Sequence, residues 1–329
     1  MVAADVADPV PTFGQILCRT LACGICGSDL HFVKHGRHLV ELSKGSPLEA
    51  ELDLDRDVFM GHEFSAEVLE VGPDTVGPKP GTVVTSVPVM LTMDGIKPFA
   101  YSNEFPGGYG ERLLLSAPLV LEVPNGLDAE QAALTEPMAV GLHAVAQSGV
   151  SPSESAVVLG CGPVGLAVIA GLRRLGVESI VASDFSAARR ALALTMGASA
   201  VVDPALQPPM DAWRDHDGRR TPVIFEAVGV RGMLDQAMRD APPGGRVLVV
   251  GVCMEADQIQ PIIGINKELS IKFVLAYTPE EFASSLRAIA EGDIDVAPLI
   301  TGTTDLEGVA AAFEDLADPD RHCKILVEP

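Results

Sequence analysis

AVVLGCGPVGLAVIAGLRRLGVESIVASD, residues 156 to 184, is the stretch whose reading decides the fold. An apolar run, Ala156-Val157-Val158-Leu159, leads into Gly160-Cys161-Gly162-Pro163-Val164-Gly165 and a helix-period stretch to Leu175, which is strand, tight turn and helix in succession. Each glycine has its own task. Gly160 permits the sharp turn, Gly162 lets the backbone approach a pyrophosphate, and Gly165 lets helix sit close on strand, so phosphates meet free N–H groups at a helix N-terminus. A second strand, Ser179 to Ser183, ends at Asp184, nineteen residues past Gly165. At that distance a dinucleotide-binding unit places the carboxylate that holds the adenosine ribose hydroxyls, and its charge repels a 2′-phosphate, so NAD is expected over NADP. The plainer alternative is a Gly-rich turn with a solvent-facing aspartate.

With 329 residues, 47% hydrophobic and 21% charged, the chain is globular and long enough for two domains. Its 23 basic against 45 acidic residues, a formal charge of −22, argue against nucleic acid or an anionic membrane as partner. The N-terminus, MVAADVADPVP, has neither a basic n-region nor an apolar core, so no secretory signal is expected there. The uncharged run from Ala156 to Leu172 is too short and too rich in glycine for a membrane span. Six cysteines without a signal point to a reducing, cytoplasmic setting, where thiols are metal ligands or buried apolar groups.

Upstream of this stretch, from Phe13 to about Leu134, short strands such as 15–19, 67–71, 82–85 and 111–115 are punctuated by Gly-Pro and Pro-Gly turns. They suggest a small barrel or sandwich. From Ala139 onward strand and helix alternate, with strands expected at 156–159, 179–183, 200–202, 223–227, 246–252 and 271–277. That is a doubly wound parallel α/β sheet. Helices are expected at 281–291 and 305–317, and the last strand, Lys324 to Val327, is expected to return to the first domain.

Three clusters carry chemistry. Cys23-Gly-Ile-Cys26-Gly-Ser28-Asp29-Leu-His31 could by itself be half a zinc ribbon or a redox pair, but no second CxxC accompanies it. Gly61-His62-Glu63 precedes a strand, and a lone His-Glu pair is more often structural. Glu136-Pro137, with His143 two turns on, reads equally as a helix N-terminal acid with proline at the first position. Together, thiolate, imidazole and carboxylate are a borderline-soft set that suits Zn²⁺ and leaves a fourth position open. An open zinc beside a nicotinamide is a hydride-transfer site for alcohols.

In this order, Cys26-Gly-Ser-Asp, Gly61-His62-Glu63, Gly108-Tyr109-Gly110-Glu111, Glu136-Pro137, Gly160 to Gly165 and Asp184, the chain resembles the zinc-dependent medium-chain alcohol dehydrogenases, from about Pro11 to its end. Its Glu-Pro form is similar to the polyol, butanediol and threonine dehydrogenase branch. The resemblance implies a GroES-like β-barrel catalytic domain, 1–137 with 279–329, around a Rossmann-type NAD-binding domain, 138–278. It implies a catalytic zinc on Cys26, His62 and Glu136, with Glu63 as alternate ligand and Asp29 orienting His62. Ser28 and His31 correspond to a proton relay, Val164 and Val250 to nicotinamide contacts, and Arg189 to a basic residue at the adenosine ribose. It further implies a homodimer or homotetramer, with Ser270 to Tyr277 pairing across a twofold axis.

Departures from the family bear on these expectations. Residues 88–108 lack the four cysteines of a structural zinc, so one catalytic zinc alone is expected. The N-terminus is short for the family's first hairpin, and Cys26 and His62 stand 36 positions apart because Gly36 to Asp57 inserts a long loop. That loop carries Glu49, Glu51, Asp53, Asp55 and Asp57 and is expected to be solvated, with a border on the substrate mouth as the alternative. The reaction expected is reversible oxidation of a secondary alcohol or polyol to a carbonyl with hydride transfer to NAD. Competing readings are a zinc-free reductase of activated double bonds, a non-catalytic NAD-binding protein and a metal-storage scaffold.

Overall fold

A computed structural model describes residues 1–45, 52–99 and 101–329. Six parallel strands form one sheet in the order Ala200–Val202, Ser179–Ser183, Ser155–Leu159, Pro222–Glu226, Arg246–Val249, Ser270–Phe273. The first strand in sequence lies inside the sheet, and the chain winds outward from it in both directions. This is the doubly wound order with its crevice at the carboxyl end of Ser155–Leu159, where ligands of such sheets bind. Three of the four inner strands are buried at every residue, as a parallel sheet covered on both faces requires.

The glycine turn is held by sterics as much as by flexibility. A Cβ on Gly165 would sit 2.0 Å from the carbonyl oxygen of Gly160, and Gly160 itself has φ +92°. Only glycine fits both places. The helix that follows, Pro163–Leu175, begins with proline where a missing N–H costs nothing and ends at Gly176 in the left-handed region.

The second sheet is mixed, in the order Ile300–Thr304, Lys324–Val327, Gln15–Gly24, Glu63–Val71, Val83–Ser86, Val120–Glu122, with Arg112–Ser116 also on Gln15–Gly24. The chain's last strand pairs antiparallel with its first, Cys23 opposite Val327 and Gly24 opposite Leu326. The end of the first strand and the last strand therefore meet just before Cys26. The first strand extends five residues beyond the expected 15–19, which puts Cys23 inside the sheet.

Other boundaries also moved, each for a local reason. The expected strand 246–252 stops at Val249 because the N–H groups of Val250 and Gly251 both turn to the carbonyl of Glu226. The strand expected at 271–277 ends at Phe273, ahead of Ala276, whose φ of +53° breaks the extended run. The helix expected at 305–317 is only Val309–Asp315, since Asp305 Oδ1 first accepts from Gly308 N in a turn. The largest correction is the long loop from Gly36. A helix, Gly27–Ser43, runs through its first third, burying only Asp29 and Phe32, so no apolar stripe announced it. Of the acidic residues after it, Asp53, Asp55 and Asp57 are exposed, while Glu49 and Glu51 lie outside the described residues. Among the described residues no helix is long and apolar enough to cross a membrane.

The Gly165 contact yields a test of the fold. Gly165→Ala should force helix and turn apart and lower stability by about 1–3 kcal/mol, the usual cost of overpacking. Urea unfolding measures it; an unchanged midpoint would contradict the packing described.

Candidate active site

The site is built where the first strand ends and the first helix begins. Cys26 stands immediately before the helix, and Asp29 Oδ2 turns back to accept from Cys26 N at 3.0 Å, fixing the entry into the helix. From the neighbouring strand come His62 and Glu63, preceded by Gly61 with φ +100°. A Cβ on Gly61 would lie 2.5 Å from Tyr109 N, so the backbones of 60–61 and 107–109 touch, and Gly108 N donates to Gly61 O at 2.8 Å. That contact sets the direction in which His62 leaves the chain.

One donor atom from each of Cys26, His62 and Glu63 lies within 4.8 Å of the others. His62 Nδ1 faces Asp29 Oδ1 at 3.5 Å, and neither atom has another partner. The ring's other nitrogen is left for the Cys26 side. Tyr109 holds Asp29 from behind, donating its hydroxyl to Oδ2 at 2.6 Å. Asp29 is wholly buried, so imidazole and carboxylate are paired out of water in the way metal-bound histidines are usually supported.

Glu63 has a partner that the sequence reading missed. Lys324 Nζ, from the last strand, donates to Glu63 Oε2 at 2.6 Å and to Ile25 O at 3.0 Å, and both side chains are about 1% exposed. Glu63 Oε1 remains buried without a partner. The signal was available: a lysine inside a four-residue, otherwise apolar strand needs a buried partner.

Glu136, on the first turn of the helix Thr135–Ser148, is not one of the three residues grouped within 4.8 Å. It stands near enough for its charge to act on His62, and it is hydrogen-bonded to Tyr277, a residue read from sequence only as a strand end. His143 is turned away to Glu281, at 2.8 Å. Burial pushes the Glu136 carboxyl up to about 7; His62 opposes that shift and the nearby Glu63 adds to it. Burial likewise raises the Cys26 thiol, with Glu63 adding to it. For His62 burial works downward, but Asp29 and then Cys26 and Glu136 outweigh it and hold the imidazole well above its ordinary range.

Ser28 and His31 lie on the same helix. Ser28 Oγ accepts from the hydroxyl of Tyr101 at 3.0 Å. His31 is half-buried, its Nδ1 has no partner, and burial, then His35 and Lys34, lower its pKa. Burial pushes the thiol of Cys161, in the glycine turn, up to about 12, and burial also raises that of Cys323.

At the glycine turn, Asp184 Oδ2 accepts from Cys161 N and Oδ1 from Ser186 N, each at 2.8 Å. Each oxygen keeps a lone pair for a ribose hydroxyl. Arg189 Nε is buried without a partner, and its Nη1 lies 3.9 Å from where a Cβ on Gly162 would be. Val164 and the buried Val250 line the same crevice end of the sheet. Across it, Ser186 Oγ donates to Asp320 Oδ1 at 2.6 Å.

Comparison with known proteins gives two family matches, a zinc-binding dehydrogenase domain over residues 163–291 and an alcohol dehydrogenase GroES-like domain over residues 12–125. The chain is 32% identical to (R,R)-butanediol dehydrogenase of Bacillus subtilis (strain 168), covering 98% of this chain and 95% of that protein. It is 25% identical to sorbitol dehydrogenase of Bos taurus, covering 93% and 87%. A solved structure from Sinorhizobium meliloti 1021, described as a zinc-binding dehydrogenase bound to NADP, matches with TM-score 0.83 and 26% identity, covering 98% and 94%.

The buried pair supplies a test. Lys324→Met strands Glu63 as an uncompensated buried charge and should destabilise the metal-free protein by about 3–5 kcal/mol. Adding Glu63→Gln should restore most of that loss in urea unfolding; a double variant no more stable than Lys324→Met would show that the pair is not what the lysine serves.

Proposed function

The chain belongs to the zinc-dependent medium-chain alcohol dehydrogenases, in the branch of the butanediol and sorbitol dehydrogenases, and from that premise we propose that it reversibly oxidises a secondary alcohol or polyol to a carbonyl compound, with hydride transfer to NAD. The reading rests above all on the convergence of thiol, imidazole and carboxylate within 4.8 Å at the mouth of a dinucleotide-binding sheet. This donor set suits one zinc ion, and the unpartnered Glu63 Oε1 is an acceptor in want of a cation. Cys26 and His62 would hold the ion, with Glu136 and Glu63 as the two carboxylates able to complete the set. A zinc ion bound there supplies Lewis acidity, which can lower the pKa of a bound hydroxyl from about 15.7 toward about 7.

The chain's own residues manage the rest. Asp29 keeps the His62 ring oriented. Lys324 offsets the charge of Glu63, so two carboxylates can stand near one site without excess negative charge. Ser28 would accept the proton that the substrate hydroxyl loses, with His31, on the same helix and lowered in pKa by burial, as the later member of the relay. Val164 and Val250 keep water from the face of the nicotinamide, and Asp184 and Arg189 hold the adenosine end. The catalytic domain in this reading is 1–137 with 279–329, around an NAD-binding domain of 138–278.

Quaternary structure follows from the sheet edge. Ser270–Phe273 is the outermost parallel strand, and Ile262, Ile265, Phe273 and Leu275 beside it are each more than half exposed. We assign this edge to a homodimer.

Four experiments test these statements. Cys26→Ser should lose zinc and turnover together. Burial raises the Cys26 thiol, so it keeps its proton at neutral pH in the metal-free protein; zinc must displace that proton, so its affinity should climb as pH rises, with protons released on binding. Calorimetry in buffers of different ionisation heat reads this, and a release near zero would count against the ligand set. Asp184→Ser should improve NADP binding relative to NAD by tenfold or more, on the order of 1.4 kcal/mol; unchanged discrimination removes Asp184 from cofactor choice. Sedimentation should give a dimer that Phe273→Asp dissociates, and an unmodified chain sedimenting as a monomer would refute the edge assignment.

A further inference from the structure

We infer that Tyr101 is a positioning residue for proton transfer, its hydroxyl orienting Ser28 while its ring is clamped on Phe32. The inference rests on the alcohol oxidation proposed above and adds to it a residue that none of the motifs contains.

Ser28 and Phe32 are four residues apart on one helix and so share a face. Tyr101 spans both of them. Its ring stacks on Phe32 with centroids 4.1 Å apart and planes 8° from parallel, its hydroxyl donates to Ser28 Oγ at 3.0 Å, and its edge meets the His62 ring at 6.1 Å. The backbone around it is set from two sides. In the short ladder of Phe59–Met60 with Tyr101–Ser102, Tyr101 lies opposite Met60, two residues before His62. Asn103 then ties the segment to the acidic loop, donating to Asp53 O and Asp57 O and accepting from Asp53 N, all at 2.8–2.9 Å. Ring and hydroxyl are thus fixed by one helix, and the backbone by a strand and a loop.

The chemistry follows from what a hydroxyl can do. Ser28 has one proton to give and two lone pairs to receive with. Tyr101 fills one lone pair as donor, leaving the other for the substrate's proton and Ser28's own proton for His31. One proton arrives on Ser28 Oγ and one leaves, and Tyr101 keeps its own throughout. Burial raises the phenol pKa far above neutrality, so it stays a donor and does not drain the relay. Phe32 alone could provide an apolar wall; the hydroxyl reaches past it to Ser28, with the Asp29 carboxylate also near enough to act on it.

The test uses the full chain loaded with zinc and NAD, with 2,3-butanediol as substrate. Tyr101→Phe keeps the ring and removes the donor. It should lower kcat about tenfold, about 1.4 kcal/mol, with KM for NAD and zinc content unchanged, a small fall in Tm from the lost resting-state hydrogen bond, and the pH profile of kcat displaced. Affinity of the NAD-loaded protein for the unreactive alcohol trifluoroethanol, read by calorimetry, should weaken in parallel. In a Ser28→Ala background the same substitution should cost nothing further. Unaltered kcat and pH profile in Tyr101→Phe, or an equal loss with and without Ser28, overturns the inference while the alcohol oxidation stands. If the unmodified protein binds no zinc and oxidises no alcohol, the functional reading fails, and this inference with it.

Discussion

A carboxylate and an ammonium, both almost wholly removed from water, meet at 2.6 Å where Glu63 and Lys324 join the ligand-bearing strand to the end of the chain. Removing either charge from solvent alone would cost several kcal/mol, so neither can be buried without the other. Because Lys324 lies on Lys324–Val327, that strand must dock on Gln15–Gly24 in one register for the pair to form. The same register puts Ile25 O within reach of Lys324 Nζ and leaves Cys26 at the mouth of the site. The closing of the sheet and the charge state of the site are thus one event.

Around that pair the site is arranged to hold charge that it cannot neutralise internally. Cys26, His62, Glu63 and Glu136 come together with Asp29 behind them, and burial favours their uncharged or mutually compensated forms. A divalent cation relieves this crowding, since it stabilises thiolate, neutral imidazole and carboxylate at once. Three buried atoms without hydrogen-bond partners, Glu63 Oε1 and the facing pair of Asp29 Oδ1 and His62 Nδ1, lie in this one place. Each is a cost in the absence of the ion and an asset in its presence.

The aromatic pair of Phe32 and Tyr101 stands on the helix side, opposite the two carboxylates. Tyr101 belongs to the segment of residues 88–108, in which a short hairpin, Val89–Thr92 with Gly95–Pro98, precedes it. That segment is ordered by the ladder to Phe59–Met60 and by Asn103. The carboxylates of Asp53, Asp55 and Asp57 face solvent, while the backbone of Asp53 and Asp57 is tied to Asn103 beside the site.

The strand, turn, helix and terminal aspartate at 156–184 were legible because every contact that defines them is local and uses glycine where nothing else fits. Donor types were legible too, since only a few residues bind a metal softly. The helix over Gly27–Ser43 was not, because it buries only Asp29 and Phe32 and its other apolar residues form no core-facing stripe. Lys324 and Tyr101 were illegible as site residues for a different reason. They act on partners 261 and 73 positions away, distances bridged by sheet register. By itself the sequence determined which groups could do this chemistry and that a dinucleotide fold would carry them. Only the tertiary structure decided that Glu63 rather than Glu136 joins the closest group, that a lysine balances it and that a phenol reaches the serine, because each depends on how two sheets register, a property no local stretch of residues contains.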